Sequence, residues 1–329
     1  MNTVYHIVFF ALAAMMSLAL SPVDKGIRRL VIVMEGHNIR LQPQMDGLRD
    51  GLEELKYVRG ENLDWKVVEG GTPDELRSKL KPLIQEQKVD LLVTLGTSET
   101  AIAKETAANI PTVFLPAADP IKSGFVRSLA RPGTNITGLT SVTDSQSLGK
   151  QLEVYKQVVP SLRKLWIILD DRMKSAVTTD NLNRLAAVAA WLGIELAQQP
   201  VTSIADASRE IASFRNRGKS SGVFIVCSNL FKDLEAIASI TRKRKMPLFG
   251  CNAFQVAEQN VLLSYATDLY SLGYRGAWFV DRIFKGAKPH DLPVETPRRF
   301  ELVINHKAAE EIGLKIAPEM LMLADRVFK

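Results

Sequence analysis

LPAADPIKSGFVRSLARPGTNITGLT, residues 115–140, is the stretch whose reading decides the fold. An apolar strand over 112–115 runs into Asp119-Pro120. A short amphipathic helix is expected next, with Phe125, Val126 and Leu129 on one side, and Arg131-Pro132-Gly133 ends it. A second strand, 136–139, then leaves the unit. Pro120 biases Asp119 away from helical geometry. This sets its carboxylate at the C-terminal edge of a strand, where open α/β sheets bind ligands. The junction between two α/β units and a binding edge therefore fall in one place.

Outward from this junction, short β-branched runs alternate with helical periodicity. Upstream, strands are expected over 30–34, 63–68 and 91–95 and helices over 45–55, 73–87 and 98–108, with Leu48, Leu52 and Leu55 on a buried side. Downstream the plan repeats, with strands over 164–169, 195–200, 222–226, 248–249 and 261–264 and helices over 178–192, 205–217, 230–243 and 254–259. Such alternation predicts parallel sheets covered on both faces. The expected class is α/β, two doubly wound parallel-sheet lobes joined by a multi-strand hinge. The tail adds a helix (272–284), a Pro/Gly-bearing connection (286–297), a strand (301–304), a helix (307–312) and a last helix opened by Pro318. These elements lie outside either repeat, so the chain is expected to cross between lobes more than once. The resulting bounds are 27–139 plus about 266–299 for one lobe and 140–265 plus about 300–329 for the other.

Composition agrees with a globular chain of two domains: 329 residues, 46% apolar and 24% charged, exceed a single core. Residues 6–20 form an apolar run too short to span a bilayer comfortably, and Ser17 and Ala19 supply small residues for cleavage. Residues 1–19 therefore read as a signal peptide, with an uncleaved anchor as the alternative. No cysteine near this run offers a lipid attachment site. The net charge of +6 concentrates in Arg242-Lys243-Arg244-Lys245, where cations suit a helix C-terminus, and no aromatic interleaving supports a nucleic-acid partner. Cys227 and Cys251 each end an apolar run and can share one sheet edge. A disulfide is open after export, but two small core residues fit the pattern better.

The C-terminal ends of the strands supply the candidate pocket, because backbone amides and helix N-termini converge there. Gly36, His37 and Asn38 follow the first strand. Thr97 and Ser98 follow the third, one of them as N-cap, with free amides to receive an anion. Asp119 offers the opposite charge for an ammonium group, or a cap for its own turn. Thr140 closes the first unit. Asp170, Ser228, Asn229 and Asn252 stand at corresponding edges of the second, and Tyr265 ends its last strand. No histidine lies near a plausible nucleophile, and GxSxG, P-loop and HExxH patterns are missing, so binding without chemistry fits better than catalysis and no cofactor or metal is called for.

Five blocks carry a family likeness: MDGLRDGLEELKYVRGENL (45–63), VDLLVTLGTSETAIA (89–103), AADPIKSGFVRSLARPGTNITGLTS (117–141), LLSYATDLYSLGYRGAWFVDRIFKGAKPHDLPVE (262–295) and FELVINHKAAEEIGLKI (300–316). In these the chain resembles the solute-binding proteins of ABC transporters, in particular the group with tryptophan- and tyrosine-binding members. The resemblance implies a type I periplasmic-binding fold in which a small-molecule ligand is enclosed between lobes closing about a three-strand hinge. It implies as partners an ABC permease and ATPase, with the receptor monomeric and periplasmic. It places Gly96-Thr97-Ser98, Asp119, Ser228-Asn229, Asn252 and Asp268 in the cleft. Three loops depart from the family pattern: Leu169-Asp170-Asp171-Arg172, Cys227-Ser228-Asn229 and Ala266-Thr267. The leading expectation is an exported receptor for an amino acid or aromatic compound. A membrane-presented sensory module and an α/β enzyme working in the cleft are the alternatives.

Overall fold

The computed structural model describes residues 26–36, 39–86, 88–140, 145–171 and 176–329. The expected leader, His37 and Asn38 lie outside these residues. The first sheet is entirely parallel. Its strands are β1 (Arg28–Glu35), β2 (Leu63–Gly70), β3 (Leu91–Thr94), β4 (Thr112–Ala117) and β5 (Ile136–Thr140), in the order β2-β1-β3-β4-β5. Helix α1 (Gln42–Glu54) covers one face through Leu48 and Leu52, while α2 (Pro73–Glu86) and α3 (Thr97–Thr106) cover the other through Leu76, Leu80, Ile102 and Ala103. The strands are therefore apolar on both sides, which is why they read as unbroken β-branched runs.

The second sheet contains β6 (Lys164–Asp170), β7 (Glu195–Val201), β8 (Ser221–Ile225), β9 (Leu248–Gly250), β10 (Leu263–Thr267), β11 (Phe300–Asn305) and β12 (Arg326–Phe328), ordered β12-β11-β10-β9-β8-β6-β7. Among the described residues only the β10–β11 pairing is antiparallel. Helices α4 (Ser145–Val158) and α5 (Ala176–Trp191) pack on one face. Helices α6 (Ile204–Ser213), α7 (Glu235–Lys243) and α8 (Ala253–Glu258) pack on the other. Tyr155 of α4 is fully buried, stacks on Phe249 at 4.3 Å between ring centroids and donates to the Gly250 carbonyl, so its hydroxyl is satisfied inside the core.

The chain passes between the lobes three times. It leaves β5 for α4, then returns from β10 into α9 (Leu269–Phe284), which lies on the first lobe against α1. It runs beside β5, where the Glu295 carbonyl accepts from the Thr140 amide at 2.8 Å and the Glu295 amide donates to Gly138, before entering β11 in the second sheet. Helices α10 (His306–Glu311) and α11 (Pro318–Leu323) then cap the second lobe.

Several expectations are corrected. Residues 120–129 form turns, not a helix: Gly124 takes φ 68°, and the amides of Phe125 and Val126 both donate to Pro120. Phe125 and Val126 are buried beside Phe114 and Val294 as neighbours in sequence, whereas Leu129 is 36% exposed, so no helical face exists. The expected helix over 230–243 is a 3-10 turn (Asn229–Phe231) followed by α7: residues 232–234 leave helical geometry and the Asp233 carboxylate accepts the Glu235 amide where the new helix starts, although Phe231, Leu234 and Ala238 keep a helical spacing. Helix α4 and strand β12 were not foreseen. The two cysteines are not inert core residues: they form a disulfide, with Cα atoms 5.5 Å apart.

Candidate functional site

A doubly wound sheet opens a crevice where neighbouring strands send their connections to opposite sides. In the first lobe that point lies between β1 and β3, so Glu35-Gly36 and Leu95-Gly96-Thr97 line it. In the second it lies between β6 and β8, so Asp170 and Cys227-Ser228 line it. The two edges face one another. Lys232 Nζ of the second lobe lies 3.7 Å from Glu35 of the first, and a cavity of about 180 Å³ is lined by Glu35, Gly36, Ile39 and Arg40 from one side and Lys232, Phe254 and Gln259 from the other. A smaller cavity near Lys104, Phe125 and Ile136 touches the opening residues of β4 and β5, the opposite edge of the sheet.

On the first lobe, Gly36 takes φ 59° and donates to Gly70, turning the chain at the end of β1 into the cavity wall. The expected side-chain cap of α3 is absent. Gly96 is the N-cap, at φ 149°, and Thr97 already belongs to the helix. The Thr97 hydroxyl instead accepts from the Ala118 amide at 2.9 Å, tying the start of α3 to the loop after β4, while Ser98 is exposed. Asp119, at φ 33°, accepts from the Lys122 amide at 3.0 Å, so its carboxylate holds its own turn.

The reason for Gly96 is Glu99. An ideal Cβ on Gly96 would come 2.1 Å from the Glu99 carboxylate, so a side chain there would evict it. Glu99 is 4% exposed, and its carboxylate accepts from its own backbone amide and that of Glu35. Its carboxyl is pushed up to about 7, chiefly by burial and to a smaller extent by the nearby Glu35 charge, with the two amides partly offsetting these effects. Arg40 is lowered by burial, and Glu35 opposes that shift.

Because the folded carboxyl holds its proton above the ordinary value of 4.5, the unfolded chain ionises first as pH rises. Stability is then lost between pH 4.5 and about 7, and the loss is complete above that window. Glu99→Gln removes this loss. The variant is expected to be more stable than the parent by roughly 2–3 kcal/mol at pH 8 and nearly equal to it at pH 4.5, measured by urea unfolding across pH.

On the second lobe, Asp170 is 3% exposed and accepts from the Ser228 hydroxyl at 3.0 Å, which brings the ends of β6 and β8 together. The Ser228 oxygen also accepts from Leu230, and Asn229 enters the 3-10 turn that presents Lys232. Asn252 caps α8 by accepting from Gln255 at 3.0 Å and turns its amide towards the disulfide sulfurs. At the crossings, Thr140 pairs with Glu295. Tyr265 stacks on Phe300, and its carbonyl accepts from Gln151. Asp268 caps α9 through Ser271 and meets Arg299 at 3.2 Å. The structure thus gathers Asp170, Ser228 and Asn252 at one edge and Gly36 and Thr97 at the other, with Asp268 and Tyr265 at a crossing.

A model of the ABC transporter substrate binding protein family matches residues 30–328, nearly every element just described. The chain belongs to this family. The tyrosine-binding protein of Clostridioides difficile strain R20291 is 23% identical over 281 residues, covering 83% of this chain and 78% of that protein. The ABC domain from Streptococcus pneumonia in complex with L-Trp superposes with a TM-score of 0.80 at 21% identity, covering 92% of this chain and all of that one. The ligand-free, open structure of a substrate binding protein with adhesive properties from Clostridium difficile gives 0.73 at 19% identity, with 92% of this chain covered. These likenesses give the fold as that of type I periplasmic-binding proteins.

Of the residues that line the cavity, the sequence placed Glu35 and Gly36 at the end of the first strand but carried no mark for Ile39, Arg40, Lys232, Phe254 or Gln259, nor for the buried Glu99. Glu35 was visible as the residue before Gly36 at a strand end. Glu99 had no such mark: an acidic residue in a helix's first turn is ordinarily a solvated partner for the dipole.

Proposed function

We propose that the chain captures a small amphipathic solute, an amino acid or aromatic compound, outside the cytoplasm by closing its lobes on it, and delivers it to a membrane permease and its ATPase. The cavity shared by the two switch-point edges carries this reading. Its wall combines acidic, basic, amide and aromatic groups from both lobes, so one molecule can satisfy both and favour the closed population. Its volume of about 180 Å³ lies below the roughly 300–1,000 Å³ of drug-sized sites, which suits a small occupant. The named ligands of the relatives, tyrosine and L-Trp, are amphipathic zwitterions of this kind. Gly36, Thr97, Ser98, Asp170, Ser228, Asn229 and Asn252 belong to this cleft, with Thr140, Tyr265 and Asp268 at its hinge.

In this reading the lobes are 27–139 with about 266–299, and 140–265 with about 300–329, a division supported by the pairing of Glu295 with β5. Among the described residues no helix is long and apolar enough to cross a membrane. Export would then rest on the apolar leader at 1–19, checked by the mass of the mature protein.

A thermal-shift panel of amino acids, aromatic acids and sugars tests capture. A ligand at a hundred times its Kd is expected to stabilise by about 2.7 kcal/mol and raise Tm by roughly 5–10 °C. No shift with any member would remove the capture reading.

A further inference from the structure

We propose that the end of the second lobe farthest from the cleft is a membrane-docking face, on which basic side chains and an exposed tryptophan hold the protein against anionic lipid headgroups. This goes beyond solute capture and does not depend on which solute is captured. Strands β6, β8 and β9 begin at this end and finish at the cleft. The seven residues of β6, rising roughly 3.3 Å each, put about 20 Å between the two. Three segments distant in sequence meet where the strands begin: 161–164, 214–220 and 242–246. The amides of Arg163 and Lys164 both donate to the Ser220 carbonyl, at 2.8 and 3.0 Å, and the Gly218 amide donates to the Arg244 carbonyl at 3.0 Å. The Arg244 guanidinium turns inward to the Ala212 and Phe214 carbonyls. It ties the last two segments together and leaves Lys243 and Lys245 exposed on either side of it.

The surface that results is cationic and lacks its own counter-charges. Arg163, Arg215, Arg217, Lys243 and Lys245 are exposed, and among the described residues no carboxylate lies within ion-pair distance of them. Glu195 and Glu311, at the same end, are committed to Lys164 at 2.6 Å and to Arg242 at 3.1 Å. Like charges crowd here: Arg244 is lowered by burial and then by the Arg217 charge, and Lys156 by burial and then by that of Arg163. Trp191 is the second, independent observation. It ends α5, is 79% exposed, and stands just before Glu195, whose amide donates to the Arg163 carbonyl at 2.7 Å. An indole, apolar in its ring and polar at one edge, settles at the level of lipid headgroups, while neighbouring arginine and lysine draw the surface towards anionic lipid. Nucleic acid is the poorer fit, since a single tryptophan gives no succession of stacking faces. Docking by this end leaves the cleft clear of the bilayer and keeps a captured solute beside the membrane.

The test is co-sedimentation of the full chain with vesicles of phosphatidylcholine containing about 30% phosphatidylglycerol. Pure phosphatidylcholine vesicles set the baseline for any contribution of residues 1–19. Binding to the anionic vesicles is expected to exceed that baseline at least tenfold at low salt and to fall to it at about 1 M salt, where the Debye length is about 3 Å. R215Q/R217Q/K243Q/K245Q is expected to lose about tenfold in binding. K81Q/K88Q/K122Q/R131Q removes the same charge from exposed positions on the first lobe and is expected to stay within about twofold of the parent. The blue shift of tryptophan emission on anionic vesicles is expected in the parent and lost in W191F. All these side chains are exposed, so each variant should keep the parent's Tm to within about 2 °C. No excess over neutral vesicles, an equal loss in the two quadruple variants, or a blue shift retained in W191F overturns the proposal. Tighter binding to an oligonucleotide than to anionic vesicles also overturns it, and assigns the face to nucleic acid. Solute capture, read by thermal shift, is untouched by any of these results.

Discussion

Gly273→Ala is expected to lower Tm by roughly 6–15 °C, equivalent to about 3–5 kcal/mol, read by calorimetry or thermal circular dichroism. Helices α1 and α9 cross with their backbones in contact. A Cβ on Gly273 would lie 1.9 Å from the Gln44 carbonyl oxygen, and one on Gly47 would lie 2.0 Å from that of Tyr270. Gly51 continues the same seam against Tyr274 and Ala277, while Gly276 lets α9 settle on Leu115 of β4. Alanine favours a helix over glycine by about 1 kcal/mol, but here the obstacle is a main-chain oxygen that no rotamer change can move. The helices must separate, and the core built on Leu48, Leu52, Leu272, Phe279 and Val280 loses its packing.

The same change at Gly149 separates this mechanism from a general intolerance of alanine. Its Cβ would lie 3.3 Å from a Val188 methyl, which a small side-chain adjustment relieves, so Gly149→Ala is expected to stay within about 1 kcal/mol of the parent. The seam also matters to function, since α9 anchors the chain on the first lobe after its second crossing. Gly273→Ala should therefore weaken ligand binding at temperatures where the protein is still folded, by loosening the hinge that closure needs.

What the sequence disclosed and what it withheld divide along one physical line. The parallel strands were legible because burial on both faces makes each of them a continuous β-branched run: Leu30 to Met34 are all buried, as are Leu91 to Thr94. Gly36, Thr97 and Asp170 were legible as strand-end residues without any contact being known, while the switch points themselves needed the strand order. Pairings between distant residues were not legible. Nothing in α1 or α9 alone says that Gly47 meets Tyr270, because the seam exists only once the second lobe crossing is made. Phe125 and Val126 looked like a helical face because apolar periodicity cannot distinguish a helix from a turn that buries consecutive residues. Glu99 was hidden for the same reason: its burial comes from Gly96 and the amide of Glu35, which are contributed by different strands.

Converting both cysteines to serine is expected to cost about 3.5 kcal/mol, because the Cys227–Cys251 bond closes a loop of 24 residues and restricts the unfolded chain accordingly. Urea unfolding should show the midpoint of C227S/C251S falling, while dithiothreitol lowers the parent's midpoint and leaves the variant's unchanged. An equal response of both to the reductant would mean that the loss arises elsewhere than in the bond. The bond lies at the cleft rather than in the core: it joins the loops that follow the adjacent strands β8 and β9, and these carry Ser228 and Asn252. Asn252 Nδ2 approaches the Cys251 sulfur at 3.6 Å, so the linkage fixes a loop as well as the chain. The variant should consequently bind ligand more weakly than its stability loss alone explains at 25 °C, where it remains folded. A disulfide in this position also suits an oxidising compartment. Protein lacking residues 1–19 and made in a reducing cytoplasm is expected to carry free thiols and to unfold at the variant's urea midpoint until it is oxidised.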